Sequence, residues 1–311
     1  MSAGSRGRLV AVVGPTASGK SALALRLARA LDAEIISCDS LQVYRGLDIG
    51  SAKPTPEERA QVPHHLVDVA DPDETFSAAR YSELARAALH AIAGRGRLAL
   101  VVGGSGLYLR ALLVGLFEGP SRNPSLRRRL EALAERRGDA RLHRLLGRVD
   151  APAAARIHPH DRLRVVRALE VYQATRRPLS DHLAVPDRPL EGFAALTVGI
   201  DRPREQLRQR VEERTAQMFA AGLLDEVATM LSRGYGPELR PLRAIGYRQA
   251  VRVLQGCLTA EAARHDIVVE TMRYAKRQMT WFRNQVEVRW AASAVAEADV
   301  YRWLGREGRP G

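Results

Sequence analysis

Short apolar segments alternate with helical patterns over the first third of the chain. Residues 9–13, 34–37 and 98–102 are mostly apolar and β-branched, and each segment ends in small or polar residues. Between them, as in residues 76–93, apolar positions recur at the spacing of one helix face. Strands that alternate with helices predict βαβ units and a parallel sheet flanked by helices. Ligands then bind at the carboxyl ends of the strands.

The strand pattern disappears in the middle of the chain and returns later. Residues 123–175 form Arg-rich helical patterns that are interrupted by glycine and proline. An apolar β pattern returns at Phe193–Ile200, and one predicted helix follows it and ends at Gly234. We therefore expect an α/β core formed by residues 1–118 and 196–311, with an inserted all-helical domain formed by residues 119–195.

The charge of the chain is strongly positive and unevenly distributed. The net charge is +13 over 311 residues, and residues 120–191 hold 16 Arg against nine Asp or Glu, a net of +7. A basic helical segment of this kind predicts a nucleic-acid partner. Since no apolar segment approaches the roughly 18 residues of a membrane span, we expect a cytoplasmic protein with no membrane partner. The two cysteines lie far apart in sequence, which argues against a disulfide framework or a zinc site.

A glycine-rich segment between the first strand and the next helix fits the pattern G-x-x-x-x-G-K-[ST] of phosphate-binding loops, so we expect the α/β core to be P-loop NTPase-like. In such loops, backbone N–H groups converge on phosphate oxygens and the helix N-terminus adds partial positive charge. Lys20 supplies a point charge, and Ser21 is the predicted Mg²⁺ ligand. The predicted diphosphate-binding residues of the loop are Gly14, Pro15, Thr16, Ala17, Ser18, Gly19, Lys20 and Ser21.

The motif alone does not decide which chained phosphate the loop binds. An NTPase with this loop also needs an acidic residue at the end of a strand to hold Mg²⁺. The third predicted strand ends instead in Gly103-Gly-Ser-Gly, and the carboxylate that follows a strand is Asp39. The diphosphate of a leaving group therefore fits this loop as well as ATP does.

Further motifs along the chain carry a resemblance to one enzyme family. Besides the phosphate loop, they are Ser37-Cys-Asp39-Ser-Leu-Gln42, Pro63-His-His-Leu66, Val102-Gly-Gly-Ser-Gly-Leu-Tyr108, Ile157-His-Pro159, Arg167-Ala-Leu-Glu170, Arg243-Ala-Ile-Gly-Tyr-Arg248 and Lys276-Arg-Gln-Met-Thr-Trp-Phe-Arg283. Together these motifs span about residues 9–290. On this basis the chain resembles the bacterial tRNA dimethylallyltransferases.

The resemblance implies a reaction and a set of catalytic residues. The donor would be dimethylallyl diphosphate, the cofactor Mg²⁺, and the acceptor the N6 amine of the adenosine just 3′ of the tRNA anticodon. Asp39 matches the general base of the family, and Thr16 and Ser105 match its other catalytic positions, although the family commonly has Thr where this chain has Ser105. Arg243 is our candidate for the leaving group, unless it caps the turn before Gly246.

The resemblance also implies which segments contact the anticodon stem-loop. The helix that carries the last motif presents a basic face with Arg273, Lys276 and Arg283, opposite an apolar one. Tyr44, Tyr247 and Trp281 lie near arginine in the sequence and either stack on unpaired bases or belong to the core. The expected tRNA-binding residues are Asp39, Ser40, Leu41, Gln42, Ser105, Arg127, Leu163, Arg164, Val165, Val166, Arg167, Arg243, Ala244, Ile245, Gly246, Tyr247, Arg248, Lys276, Arg277, Gln278, Met279, Thr280, Trp281, Phe282 and Arg283.

Three other functions compete with this reading, in which the enzyme is a monomer. An isopentenyltransferase acting on free adenine nucleotides would not need the basic insertion. A small-molecule kinase would need the second acidic residue that this chain lacks. A non-catalytic RNA-binding protein would not need Lys20, Ser21 and Asp39 together. His64 and His65 are adjacent, and we expect them to have a structural role in a loop rather than to bind a metal.

Overall fold

The computed structural model describes residues 7–117, 119–120, 123–183 and 188–306. The chain divides into two compact units, one formed by Met1–Leu113 with Leu190–Gly311 and the other by Val114–Pro189. Both divisions lie a few residues before the predicted boundaries. The helical unit ends at Pro189, before the predicted residue 195, because the strand at Phe193–Ile200 pairs with the first strand along the whole length of the first strand and therefore belongs to the core.

One parallel sheet forms the centre of the first unit. Its strands in the described residues are β1 Gly7–Val13, β2 Glu34–Ser37, β3 His64–His65, β4 Ala99–Gly103, β5 Phe193–Ile200 and β6 Arg289–Ala291. Their order across the sheet is β3-β2-β4-β1-β5-β6, and every pairing is parallel. The three predicted strands of the first third of the chain and the strand at Phe193–Ile200 are confirmed.

Helices surround this sheet and make up the second unit. The helices of the first unit are α1 Lys20–Leu31, α2 Pro56–Gln61, α3 Ala78–Gly94, α4 Gly106–Leu113, α10 Arg204–Ala220, α11 Leu223–Ser232, α12 Tyr247–Leu254, α13 Ala260–Gln285 and α14 Ser293–Leu304. Those of the second unit are α5 Pro124–Arg137, α6 Asp139–Val149, α7 Ala151–Arg156, α8 Arg162–Thr175 and α9 Leu179–Leu183.

Alternate residues of β1 divide between two hydrophobic clusters. Leu9 and Ala11 belong to one cluster, whereas Val10 and Val12 belong to the other, and all four are fully buried. A strand with both faces buried is typical of a parallel sheet covered by helices on each side. The second unit has its own core, which is built mainly from α6, with Leu146, and from α8.

Two local predictions differ from the structure. His64 and His65 form an edge strand rather than a loop, and the Nε2 atom of His65 lies 2.7 Å from a carboxylate oxygen of the buried Glu34. The long helix predicted after β5 is two helices, because Gly222 at φ 96° ends α10 and begins α11. In the described residues, no helix is long and apolar enough to cross a membrane.

Candidate active site

The phosphate loop leaves the central strand β1 and leads into α1. Gly14 adopts φ 148°, and a Cβ there would lie 2.9 Å from the Ser18 hydroxyl oxygen and 3.2 Å from the carbonyl oxygen of Ile200. Gly19 adopts φ 97° and caps the N-terminus of α1. Both glycines are therefore required by the backbone. The loop lies at the carboxyl end of the sheet, where parallel α/β proteins bind ligands.

The ammonium group of Lys20 lies inside this loop. Its Nζ atom donates a hydrogen bond to the carbonyl oxygen of Pro15 over 3.2 Å. Burial lowers the pKa of Lys20 to about 8, while the nearby carboxylate of Asp39 opposes the shift and the guanidinium of Arg214 adds to it. An anion bound in the loop would stabilise the protonated form, because it replaces the solvation that burial has removed.

Three arginines after β5 bind consecutive residues of the loop. Arg202 donates to the carbonyl oxygen of Ser18 over 3.2 Å, and Arg210 donates to that of Ala17 over 2.9 Å. Arg214 donates to the Thr16 hydroxyl oxygen over 3.1 Å. The sequence analysis did not find these residues, although the spacing of Arg210 and Arg214 places both on one face of α10. They add positive charge where a diphosphate would bind.

Asp39 follows β2 and lies in a loop that neighbouring groups hold in place. Its Oδ1 atom accepts the Leu41 N–H over 2.9 Å. The Ser40 N–H donates to the Ser105 hydroxyl oxygen over 3.0 Å, and the Ser105 N–H donates to the Cys38 carbonyl oxygen over 3.1 Å. The hydroxyl of Ser105 therefore positions the loop that carries Asp39. A threonine hydroxyl at position 105 could accept the same hydrogen bond.

Gln42 continues this loop with an internal role. Its Oε1 atom accepts the Ser37 hydroxyl over 2.8 Å, and its Nε2 atom donates to the carbonyl oxygen of Ala52 over 2.9 Å. Ala52 belongs to a turn formed by residues 48–52. The carboxylate of Glu226, on α11, accepts the N–H groups of Asp48 and Ile49 in this turn over 2.8 and 2.7 Å. Helix α11 thus stabilises the turn that binds Gln42, and through it the loop that carries Asp39.

The phosphate loop and Asp39 line one cavity of about 850 Å³. This volume falls in the range of small-ligand sites. Two further carboxylates, those of Glu58 and Glu213, also lie on its walls, together with several hydroxyl groups that include that of Ser21 in the loop. The cations that line the cavity are Lys20, Lys53, Arg210, Arg214, Arg240, Arg243 and Arg277. The predicted leaving-group residue Arg243 therefore lies in the same cavity as the loop.

Comparisons with known proteins agree on one family. Residues 42–285 match the family described as IPP transferase. The tRNA dimethylallyltransferase of Koribacter versatilis is 49% identical over 282 residues, which cover 91% of this chain and 92% of that protein. The chain belongs to the IPP transferase family. tRNA dimethylallyltransferase 1 of Pelobacter propionicus is 48% identical over 295 residues, which cover 95% of this chain and 96% of that protein.

Solved structures of the IPP transferase family have the same fold. The full-length tRNA isopentenylpyrophosphate transferase from Bacillus halodurans matches 96% of this chain and 95% of its own with a TM-score of 0.70 and 38% identity. A eukaryotic dimethylallyltransferase acting on tRNA matches 98% of this chain and 81% of its own with a TM-score of 0.78 and 25% identity. The expected P-loop NTPase-like α/β fold is therefore confirmed.

Several family-motif residues that we expected to contact RNA have buried side chains. Tyr247 is fully buried, its hydroxyl donates to a Glu226 carboxylate oxygen over 2.8 Å, and Phe282 is 1% exposed. Val165 and Val166 belong to the core of the second unit. These side chains cannot stack on bases or bind phosphates because apolar packing already encloses them. Any RNA contact of the same segments must come from their exposed neighbours.

The aromatic residues proposed for base stacking also prove to be packed against protein. Tyr44 is 2% exposed and lies in the main core cluster. Trp281 packs against the same cluster, and its ring lies on Gly106, where no Cβ would fit. The core alternative is thus the correct one for Tyr44 and Tyr247, and the ring of Trp281 is used mainly for packing. Stacking on RNA by Tyr44 or Tyr247 is excluded in this conformation.

Arg127, one of the expected RNA contacts, is paired with a carboxylate of the second unit. Its Nε and Nη2 atoms donate to the two carboxylate oxygens of Glu170 over 3.2 and 2.9 Å. The Glu170 side chain is only 2% exposed, so Arg127 neutralises a buried carboxylate within the second unit. Arg248 is likewise paired, with Glu270. The side chain of Arg164 also has a partner, since its Nε atom lies 3.4 Å from a carboxylate oxygen of Asp161, but it is 72% exposed and remains accessible to RNA.

The basic face of α13 is exposed as predicted, but the apolar residues are not all opposite to it. Arg273, Lys276 and Arg283 line a cleft of about 500 Å³ between α10 and α13. Met279 and Val268 line the same cleft, because Met279 lies one turn from Arg283 on the same side of the helix. Basic and apolar groups are therefore mixed on this surface.

Proposed function

We propose that this chain is a tRNA dimethylallyltransferase. In this reaction it transfers the dimethylallyl group from dimethylallyl diphosphate to N6 of the adenosine just 3′ of the anticodon. One observation carries the proposal: a phosphate loop surrounded by arginines and the strand-end carboxylate Asp39 line a single cavity, while the adjacent strand β4 ends in Gly103 without an acidic residue. The names of the relatives point to the same activity.

The residues of the cavity divide between the two halves of the reaction. The N6 amine attacks the allylic carbon, the bond from that carbon to the diphosphate oxygen breaks, and the proton of N6 passes to Asp39. An adenine amine is a weak nucleophile, so a carboxylate that accepts its hydrogen bond both orients and deprotonates it. Lys20, Arg214 and the loop amides stabilise the charge that grows on the leaving diphosphate.

Magnesium fits this site as an ion shared with the diphosphate. No group of three or more His, Cys, Asp or Glu side chains in the described part of the chain could hold a metal alone. Mg²⁺ characteristically keeps several waters and takes one or two protein ligands beside substrate phosphates. Ser21, exposed in the first turn of α1, is the proposed ligand. Bound there, the ion would supply further charge neutralisation for the diphosphate.

The acceptor adenine has to leave the stacked anticodon loop to reach Asp39. Unstacking one nucleotide costs a few kcal/mol, which contacts elsewhere must offset. We propose that exposed cations of α13 and of the second unit, such as Lys276, Arg277 and Arg164, supply these contacts. Because one chain provides the phosphate loop, the carboxylate and the cations of the cavity, we further propose that the enzyme acts as a monomer.

A labelling experiment tests the proposed function. The protein is incubated with Mg²⁺ and radiolabelled dimethylallyl diphosphate, and total tRNA, AMP or buffer is added as acceptor. We expect label in tRNA alone, and loss of that label when Lys20→Ala weakens use of the donor. Label in AMP would favour an enzyme of free nucleotides. Robust ATP hydrolysis stimulated by tRNA, in place of transfer, would favour an ATPase.

A further inference from the structure

Gln278 lies within the basic segment of α13 but faces the interior of the protein. The residue is 7% exposed, whereas the adjacent Arg277 is exposed. Its Oε1 atom accepts the Thr16 N–H over 3.0 Å, and its Nε2 atom donates to the carbonyl oxygen of Gly104 over 2.9 Å. One buried amide therefore joins α13 to the phosphate loop and to the turn after β4.

The surroundings of this amide leave little freedom for it to move. A Cβ at Gly104 would overlap the Nε2 atom of Gln278, so the turn approaches the amide as closely as a glycine allows. Thr16 is bound on its other side by Arg214, through its hydroxyl. The backbone of Thr16 is thus held from α13 and its side chain from α10. Both bonds fix the part of the loop that faces the cavity.

We propose that Gln278 is a positioning residue for the donor half of the reaction, although RNA-facing residues surround it in the sequence. This inference rests on the proposed function. By holding Thr16 against the turn at Gly104, Gln278 keeps the loop in the conformation that receives diphosphate. A loop that is ordered before binding loses less conformational freedom when the ligand arrives. Loss of the amide therefore weakens diphosphate binding and leaves RNA binding intact.

The test compares Gln278→Met with Lys276→Met, two residues of one turn of α13 changed to the same apolar side chain; Lys276 is exposed and lines the cleft between α10 and α13. Four quantities are measured: KM and kcat for dimethylallyl diphosphate at saturating tRNA, the Kd of inorganic pyrophosphate by calorimetry, and the Kd of an anticodon stem-loop RNA. For Gln278→Met we expect KM and the pyrophosphate Kd to rise about five- to a hundredfold, as for two lost hydrogen bonds, with an unchanged RNA Kd. For Lys276→Met, whose side chain lies outside the cavity of the phosphate loop, we expect only the RNA Kd to rise.

Two results would overturn the proposal. One is a Gln278→Met protein with weaker RNA binding and a normal pyrophosphate Kd, since the residue would then belong to the RNA site. The other is a lower melting temperature and a lower kcat with unchanged KM and Kd, since a purely structural role reduces only the amount of folded enzyme. If the wild type fails to prenylate RNA while Gln278→Met still weakens pyrophosphate binding, the proposed function fails and the positioning role stands.

A second variant disrupts the hydrogen bond between Gln278 and Gly104 by changing Gly104. Gly104→Ala forces the Gln278 amide away without removing it, so its pyrophosphate Kd should rise as in Gln278→Met. Gln278→Met and Gly104→Ala break one shared contact. The pyrophosphate Kd of the double variant should therefore not exceed the higher of the two single-variant Kd values. If the two effects multiply instead, the residues act independently and the positioning role is rejected.

Discussion

Lys20 carries a proton that is lost near pH 8, well below the range in which lysine usually titrates. Burial lowers its pKa to about 8. The charged form is fully present only below that pH, and diphosphate binding at higher pH requires the enzyme to take up a proton. We expect the Kd of dimethylallyl diphosphate to be constant below about pH 8 and to rise towards tenfold per pH unit above it.

Titration of binding by calorimetry at several pH values measures this slope. Lys20→Arg is the matched control, because a guanidinium keeps its charge throughout this range. Its affinity will differ from that of the wild type, but its Kd should not gain the steep rise above pH 8. A wild-type profile that stays flat to about pH 10 would place the titrating proton elsewhere.

Asp39 is the second residue whose chemistry can be isolated. Asp39→Asn keeps the size of the side chain but cannot accept the proton of the adenine amine. We expect kcat to fall about 10²- to 10⁴-fold with little change in the Kd of tRNA, as measured by single-turnover transfer and filter binding. Glu213→Gln, a carboxylate of the same cavity on α10, is the control and should leave kcat nearly unchanged. A near-normal rate for Asp39→Asn would remove it from the mechanism.

At the scale of elements, α11 stabilises the turn at Asp48 and Ile49, next to the active site, through one carboxylate. Glu226 accepts the N–H groups of Asp48 and Ile49 as well as the Tyr247 hydroxyl. Hydrogen bonds to charged groups contribute about 1.5–3 kcal/mol. We therefore expect Glu226→Ala to accelerate hydrogen exchange at the Asp48 and Ile49 amides by about ten- to a hundredfold.

Asp225→Ala on the same turn of α11 is the control for this experiment, since its carboxylate lies beside Gly222. It should leave the exchange of both amides unchanged. Equal acceleration in the two variants would show that α11 as a whole has loosened, and the specific support of the turn by Glu226 would be refuted.

Elements with a local signal could be predicted from the sequence. The phosphate loop is defined by spacing within one segment, and Asp39 by its place directly after a strand. Strand β3 was missed because two residues carry no periodicity, and it is a strand only through its pairing with Ile35 and Ile36. The roles of Arg214 and Gln278 depend on where α10 and α13 pack, which no local pattern encodes. The same applies to Tyr247, whose burial follows from tertiary contacts.

At the scale of the whole molecule, the excess of arginine predicts binding that depends on salt. Each phosphate that the protein neutralises releases condensed counterions, so log Kd for tRNA should rise linearly with log salt. Arg164→Ala in the second unit and Arg277→Ala on α13 should each flatten this slope by about one unit. Filter binding at several salt concentrations measures it.

Arg127→Ala separates RNA binding from folding in the same series. Because it removes both close hydrogen bonds to the buried carboxylate of Glu170 and leaves that group only the 3.9 Å ion pair with Arg167, we expect it to lower the melting temperature, at a cost of up to about 3–5 kcal/mol, with the salt slope unchanged. If Arg127→Ala flattens the slope and Arg164→Ala does not, the assignment of these two arginines is reversed.

The ends of the helical insertion meet at a single backbone hydrogen bond. The Leu190 N–H donates to the carbonyl oxygen of Leu113 over 2.9 Å, so the chain leaves and re-enters the α/β unit at one point. The insertion is therefore an interchangeable module: a few glycines in place of Val114–Pro189 would close the gap without straining β5. Such a minimal enzyme should still bind pyrophosphate, and helical modules grafted at this junction would offer a route to new RNA specificities.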